Sequence, residues 1–406
     1  MKYIVLVGDG MADYPLEELQ GKTPLEVAKT PHMDSLAKGG QVGWAKTIPE
    51  RMAPASDVAN LSILGYDPAK FYSGRGPLEA VNMGIKLAQD EVAFRCNLVT
   101  SGDDKMLDYS AGHIANKEAH ILIKGLGKHL GTDTLRFYPG VSYRHLMITK
   151  DLEPSLLKVK CSPPHDITGK SISKHLPRGK NSEFLIDLMQ RAASFLEKHE
   201  INKVRVDLKE NPANSIWLWG QGKHLDLPKF REKYGVDGSI ISAVDLIKGI
   251  GKMIGLTPID VPGATGYYDT DYLAKGKYGI DSLKVKDFIF IHVEAPDEAG
   301  HNGDLRAKIT AIERFDSQVV GQILGHFQNQ TDFRILVLSD HYTPIPLKTH
   351  TSEPIFFALY GQGVTKDEIS AFNESQARQS KLNFSQGWQL MDYLIKHELP
   401  SGARLS

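Results

Sequence analysis

DFIFIHVEAPDEAGH, residues 287–301, is the stretch on which the fold turns. Its first half is a mostly apolar run rich in β-branched and aromatic side chains, the pattern of a strand covered on both faces. Its second half places Asp297 and His301 four residues apart, just past the strand's end. Two other segments repeat the design. Residues 2–8, KYIVLVG, run into Gly8-Asp9-Gly10, and residues 333–339, FRILVLS, run into Asp340-His341. Between the second and third strands, residues 304–327, DLRAKITAIERFDSQVVGQILGHF, read as helix. Strands alternating with helices predict an α/β fold with a doubly wound, mostly parallel sheet.

Working outward, the 406-residue chain is two to three times the usual domain length, so a second domain or a large insertion is expected. The texture changes between 88 and 237, where apolar runs at 92–99 and 143–149 alternate with polar and Pro/Gly stretches such as SPPHD at 162–166. Within it, 182–198 reads as helix and 215–220, SIWLWG, as strand. The sheet-and-helix pattern resumes at 239–252, SIISAVDLIKGIGK. The expected organisation is a catalytic domain formed by 1–87 and 238–406, with 88–237 inserted as a smaller α/β lid domain.

Lys and Arg total 48 against 49 Asp and Glu, a formal net charge of −1, so no basic excess points to nucleic acid or a membrane surface. The partner expected is a small molecule. Cys96 and Cys161 are the only cysteines and form no C-x-x-C pair, which argues against a disulfide framework or structural zinc and for a reducing compartment. The apolar run Tyr3 to Val7 is too short for a signal peptide, and no run approaches the ~20 residues of a membrane span. A cytoplasmic protein is expected, and no segment reads as a coiled coil, so a monomer is the default.

Ligands of open α/β sheets bind at the carboxyl ends of the strands, where loops converge. Asp9, Asp297, His301, Asp340 and His341 are all expected there, with His350 following in KTHTSEP. Each has a plain reading alone. Asp9 would be a turn or cap residue, the Asp297/His301 pair an ordinary helix surface, and His350 a loop histidine. Together, three Asp and three His at one sheet edge would repel and desolvate one another unless cations neutralised them. Mixed carboxylate and imidazole ligands suit Mn²⁺, Zn²⁺, Fe²⁺ or Co²⁺ better than Ca²⁺, and two such ions can bind both the attacking and leaving oxygens of a phosphoryl transfer. A phosphate or sulfate ester is the expected substrate.

The segment 51–68, RMAPASDVANLSILGYDP, places Ser56 just ahead of a helix-like run. A hydroxyl there either caps the helix or, with metal residues beside it, serves as a nucleophile at a phosphate-favouring helix N-terminus. A catalytically silent protein of this fold would have no need of Ser56.

At this point the chain resembles the cofactor-independent phosphoglycerate mutases of the archaeal type, within the alkaline phosphatase superfamily. The resemblance is carried by VLVGDGMADYPLEELQGKTPLEVAKTPHMDSLA, PASDVANLSILGYDP, SGRGPLEA, FRCNLVT, SAGHI, VEAPDEAGHNGD, LSDHYTP and KTHTSEP, in matching order and spacing over nearly the whole length. It implies an alkaline-phosphatase-like sheet and two divalent ions, Mn²⁺ first, with Zn²⁺, Co²⁺ or Mg²⁺ as alternatives. One ion would be held by Asp297, His301 and His350, the other by Asp9, Asp340, His341 and the Ser56 oxygen. It implies that Ser56 takes the phosphoryl group from 3-phosphoglycerate and returns it to the 2-hydroxyl of the bound glycerate, a step of glycolysis and gluconeogenesis. Water must be kept out, a task for the lid. Comparison with the family places His113, Arg144 and Lys248 against the substrate's anionic groups, with Arg75 and His165 as further candidates. The segments YRHLMI, CSPPHDITGK and NPANSIWLWGQGK are more similar to a bacterial subgroup proposed by analogy to be homoserine kinases. The alternative is therefore a phosphotransferase acting on another small hydroxy or amino acid. No Walker-type phosphate loop is present to support an ordinary ATP site.

Overall fold

The computed structural model describes residues 1–399 and the backbone of Arg404–Leu405. In chain order the strands are β1 (Lys2–Gly8), β2 (Gln41–Ala45), β3 (Glu91–Gly102), β4 (Lys105–Asp108), β5 (Leu135–Val141), β6 (Arg144–Lys150) and β7 (Ser215–Gly222). They continue with β8 (Gly238–Ile241), β9 (Thr257–Pro258), β10 (Phe288–Val293), β11 (Phe333–Leu338), β12 (Ile355–Gly361), β13 (Leu382–Phe384) and β14 (Arg404–Leu405). Contacts divide the chain into two compact units, 1–72 with 227–406 and 73–226.

The larger unit holds a nine-stranded sheet in the order β14-β13-β2-β12-β11-β1-β10-β8-β9. Its centre, β11-β1-β10-β8-β9, is parallel throughout. β1 lies between the other two strands of the opening pattern, with Ile4, Val5, Leu6 and Val7 all fully buried, as a strand covered on both faces requires. β12 departs from the parallel expectation by pairing antiparallel to both β11 and β2. The reversal has a use: the loop leaving β11 returns to begin β12 at the same edge, which carries His350 back beside His341, with ring centroids 4.2 Å apart. The predicted helix 304–327 forms as Leu305–Arg314 and Gly321–Phe327 joined by a π turn at Phe315–Val320. Buried Asp316 in that turn accepts the N–H of Met33 (2.7 Å) at the start of helix Pro31–Gly39.

The smaller unit is an antiparallel sheet in which β3 pairs with β4, β6 and β7, and β5 pairs with β6. Helices Asn116–Leu130 and Ser182–Leu196 contribute Leu122, Leu126, Leu185 and Leu188 to the core against β3, β6 and β7. It begins earlier than the change in sequence texture at residue 88. Helix Arg75–Asn82 packs directly on β3, where a Cβ on Gly76 would lie 2.3 Å from the Ala93 carbonyl, and Glu79 pairs with buried Arg95 at 2.8 Å. It also ends earlier, because 227–237 packs with the larger unit: the Phe230 ring lies 4.5 Å from that of Phe288.

Candidate metal centre

At the carboxyl ends of β1, β10 and β11, two groups of ligand atoms form. Asp297, His301 and His350 make one and Asp9, Asp340 and His341 the other, the atoms of each lying within 4.8 Å of one another. The chain turns sharply after β1 at Gly10, whose φ of +57° favours glycine, and a Cβ there would meet Asp297 Oδ1 at 2.6 Å. Helix Ala295–Asn302 carries Asp297 and His301 on one face, one turn apart.

In the first cluster, His301 Nε2 lies 3.2 Å from Asp297 Oδ2, and His350 Nε2 lies 3.4 Å from Asp297 Oδ1. The two Nε2 atoms approach to 2.9 Å. His301 Nδ1 is 3.1 Å from the Lys348 carbonyl, which can only accept, so Nδ1 carries a proton and Nε2 is the atom turned to the cluster. In the second cluster, His341 Nε2 lies 3.4 Å from Asp9 Oδ1 and 3.6 Å from Asp340 Oδ2. Asp340 Oδ1 accepts the N–H groups of Gly10 and His341, both at 3.0 Å. Thr343 joins the clusters: its hydroxyl donates to Asp297 Oδ1 at 2.5 Å and lies 3.2 Å from His341 Nδ1.

Ser56 opens helix Ser56–Ile63, as the sequence predicts, and its Oγ lies 3.0 Å from His341 Nε2. Asn60, one turn on, donates to both the Ser56 carbonyl (2.8 Å) and Asp340 Oδ2 (2.7 Å), fixing the helix end to the second cluster. No local pattern marks Asn60 or Thr343, although Asn60 stands four residues after Ser56 and Thr343 two after His341. His292 also reaches the cluster, 3.4 Å from Asp9 Oδ2. A histidine inside an otherwise apolar buried strand was its only signal.

The electrostatics fit a cation at each cluster. Burial first, and then the neighbouring Asp340 and Asp297, hold Asp9 well above the usual carboxylate range. At Asp297 burial acts upward but is outweighed by His301 and His350, which hold it well below that range. Burial drives His341 down to about 4, so its ring is a neutral donor near pH 7. Asp9 Oδ1 is buried without a hydrogen-bond partner. Imidazoles converging with carboxylates, one carboxylate oxygen unsatisfied, are a donor set for divalent metal.

The five substrate-binding candidates divide between the units. In the smaller unit an aromatic chain links four of them. His113 meets Tyr143 at 5.9 Å, Tyr143 meets Tyr109 at 5.6 Å, Tyr109 meets His165 at 6.2 Å, and His165 meets Trp219 at 5.3 Å. Arg144 lies over Tyr143 at 5.7 Å and Arg75 over Trp219 at 5.4 Å. Buried Arg95, not anticipated, lies 4.5 Å from Trp219; burial lowers its pKa first, and the charges of Arg75 and Arg144 add to the effect. Lys248 is in the larger unit, on helix Asp245–Met253, where it pairs with Asp260 at 2.6 Å.

A serine opening a helix beside two acid–imidazole clusters, at the carboxyl edge of a parallel-centred sheet, belongs to the chemical class of metal-dependent phosphoryl transfer. Within that class, the chain belongs to the 2,3-bisphosphoglycerate-independent phosphoglycerate mutase family. The family's model matches residues 37–202. A protein of that name from Methanosarcina acetivorans is 53% identical over 399 residues, covering 98% of this chain and all of the relative. Among solved structures, a Pyrococcus horikoshii protein superposes with a TM-score of 0.82 at 31% identity over 99% of both chains. The cofactor-independent phosphoglycerate mutase of Thermoplasma acidophilum superposes with a TM-score of 0.66 at 26% identity, covering 98% of this chain and all of that one.

Proposed function

We propose that the protein interconverts 3-phosphoglycerate and 2-phosphoglycerate through a phosphoserine at Ser56. The observation that carries this reading is the Ser56 hydroxyl, at a helix N-terminus and 3.0 Å from His341 in the second cluster. Asp297, His301 and His350 would hold one divalent ion and Asp9, Asp340, His341 and Ser56 the other. Mn²⁺ is our first choice for these oxygen and imidazole donors, with Zn²⁺, Co²⁺ or Mg²⁺ as alternatives. Bound there, the ions would lower the serine's pKa and offset the negative charge of the transferring phosphoryl group.

The residues supply the rest. Ser56 Oγ attacks phosphorus as the bond to the substrate's C3 oxygen breaks, and the proton lost by serine is matched by one gained at that oxygen. Glycerate turns, its 2-hydroxyl attacks the phosphoserine, and Ser56 recovers a proton, so no water is consumed. The N–H groups at the start of helix Ser56–Ile63 favour the phosphoryl group. His113, Arg144, Arg75 and His165 bind the substrate's carboxylate and phosphate, a role supported by their gathering on one aromatic chain with Arg95. Lys248, in the larger unit, is a further candidate for an anionic group of the substrate. The inserted unit acts as the lid that excludes water. The same relatives favour this reading over a homoserine kinase, since they are named phosphoglycerate mutases and their match covers 98% of this chain. The two free thiols, Cys96 and Cys161, accord with a cytoplasmic enzyme, which we take to act as a monomer.

Acid-quenching Mn²⁺-loaded protein with 3-phosphoglycerate and mapping the phosphopeptide by mass spectrometry tests the proposal. Phosphate on Ser56 is expected. An unmodified Ser56, together with turnover of homoserine and ATP in a parallel reaction, would replace it with the kinase reading.

A further inference from the structure

Behind the second cluster runs a line of buried polar groups with no part in the chemistry described. Lys275, on helix Tyr272–Leu283, is fully buried and its Nζ contacts Glu294 Oε2 at 2.5 Å and the His292 carbonyl at 2.9 Å. Glu294 Oε1 accepts from the Ser242 hydroxyl and the Ala243 N–H, both at 2.7 Å, and lies 3.3 Å from His292 Nδ1. His292, fully buried on β10, turns its other nitrogen to the cluster: Nε2 lies 3.4 Å from Asp9 Oδ2 and 3.7 Å from Asp340 Oδ2. The consequence is visible at Asp9. Its Oδ2 faces His292, whereas Oδ1 faces His341 and has no hydrogen-bond partner.

A buried lysine–glutamate pair is a costly way to hold a core together, since apolar side chains of similar volume would do so at no less stability. Here the pair holds the Nδ1 side of an imidazole whose Nε2, 3.4 Å from Asn60 Nδ2, is set against the two carboxylates of one cluster. We propose that Lys275, Glu294 and His292 are positioning residues for the Asp9–Asp340–His341 metal site. Lys275 locks Glu294, Glu294 locks the ring of His292, and His292 turns Asp9 so that Oδ1 is presented to the ion. His292 touches no residue of the other cluster in these contacts; there Asp297 is held by Thr343, which also reaches His341, and His301 by the Lys348 carbonyl. The chain therefore acts on one site of the two. The inference rests on the two-metal reading above.

Titration calorimetry of the full-length, metal-stripped protein with Mn²⁺ alone tests it, with folding checked by circular dichroism. Wild type is expected to bind two ions. His292→Leu is expected to weaken one of them about 10–100-fold and leave the other unchanged. His292→Gln, which keeps an N–H near the Nε2 position, is expected to recover most of the loss. Should His292→Leu fail to fold, Glu294→Gln carries the same comparison. A folded variant that binds both ions as wild type does, or weakens both equally, overturns the inference. A wild-type protein that binds no ion overturns the metal reading beneath it.

Discussion

A serine hydroxyl is a weak nucleophile in water, and what surrounds Ser56 decides whether it becomes a strong one. Its Oγ lies at the fully buried ring of His341, in a cluster whose carboxylate Asp9 has a free buried oxygen. Ser56→Ala is accordingly expected to lower turnover on the order of 10⁴-fold or more while the protein still binds two Mn²⁺ ions by calorimetry. Activity within tenfold of wild type would make Ser56 a helix cap. Thr343→Val removes the hydroxyl that holds Asp297 and His341 together and is expected to weaken Mn²⁺ binding about 10–100-fold, with melting temperature nearly unchanged. At this scale, residues were legible where an ionisable side chain directly follows a buried strand, as Asp9, Asp340 and His341 do. His292, Asn60 and Lys275 were not. Their roles depend on distant neighbours, as in the Asn60–Asp340 hydrogen bond across 280 positions, and local sequence carries no record of such a pairing.

The elements set these side chains through their ends. The turn after β1 is tight because Gly10 admits the helix of Asp297 beside it, with Thr343 Oγ1 only 2.4 Å from where a Cβ would stand. Gly10→Ala is expected to cost about 1–3 kcal/mol in urea unfolding and to displace Asp297, which lowers Mn²⁺ affinity as well. A second junction is made by Glu374, at the start of helix Glu374–Ala377, which accepts from the Asp13 N–H (3.1 Å) and the Thr23 hydroxyl (2.7 Å). Burial raises its pKa to about 7. The folded protein thus holds a proton there that the unfolded chain has released, so this contribution to stability is complete below pH ~4.5 and is lost as pH rises through about 7. Glu374→Gln should flatten the fall in melting temperature between pH ~5 and ~8, and parallel curves for wild type and variant would contradict this. The three central strands and the helix after Ser56 were legible as elements from mostly apolar runs and a serine ahead of a helical pattern. The antiparallel course of β12 was not, because a buried run reads alike in either direction.

For the molecule as a whole, the larger unit is assembled from two distant parts of the chain, 1–72 and 227–406, whose ligands meet at one sheet edge. An ion that binds only the folded state adds stability by mass action, about 2.7 kcal/mol at a hundredfold excess over Kd. Chelation is therefore expected to lower the melting temperature by several degrees, with Mn²⁺ restoring it, and a chelator-insensitive melt would speak against ions at these clusters. Contacts place SGRGP and the helix that follows with the second compact unit, 73–226, because that helix packs on β3, a long-range relation that local sequence does not record. No helix among the described residues is long and apolar enough to cross a membrane.

The central claim is that the phosphoryl group passes from one hydroxyl of glycerate to the other by way of Ser56 and never to water. ³¹P NMR of the full-length, Mn²⁺-loaded protein with 3-phosphoglycerate tests it most directly. Conversion to 2-phosphoglycerate, with no inorganic phosphate signal as the two isomers reach equilibrium, is the predicted result. Release of inorganic phosphate as the main product would show a phosphatase and contradict the account.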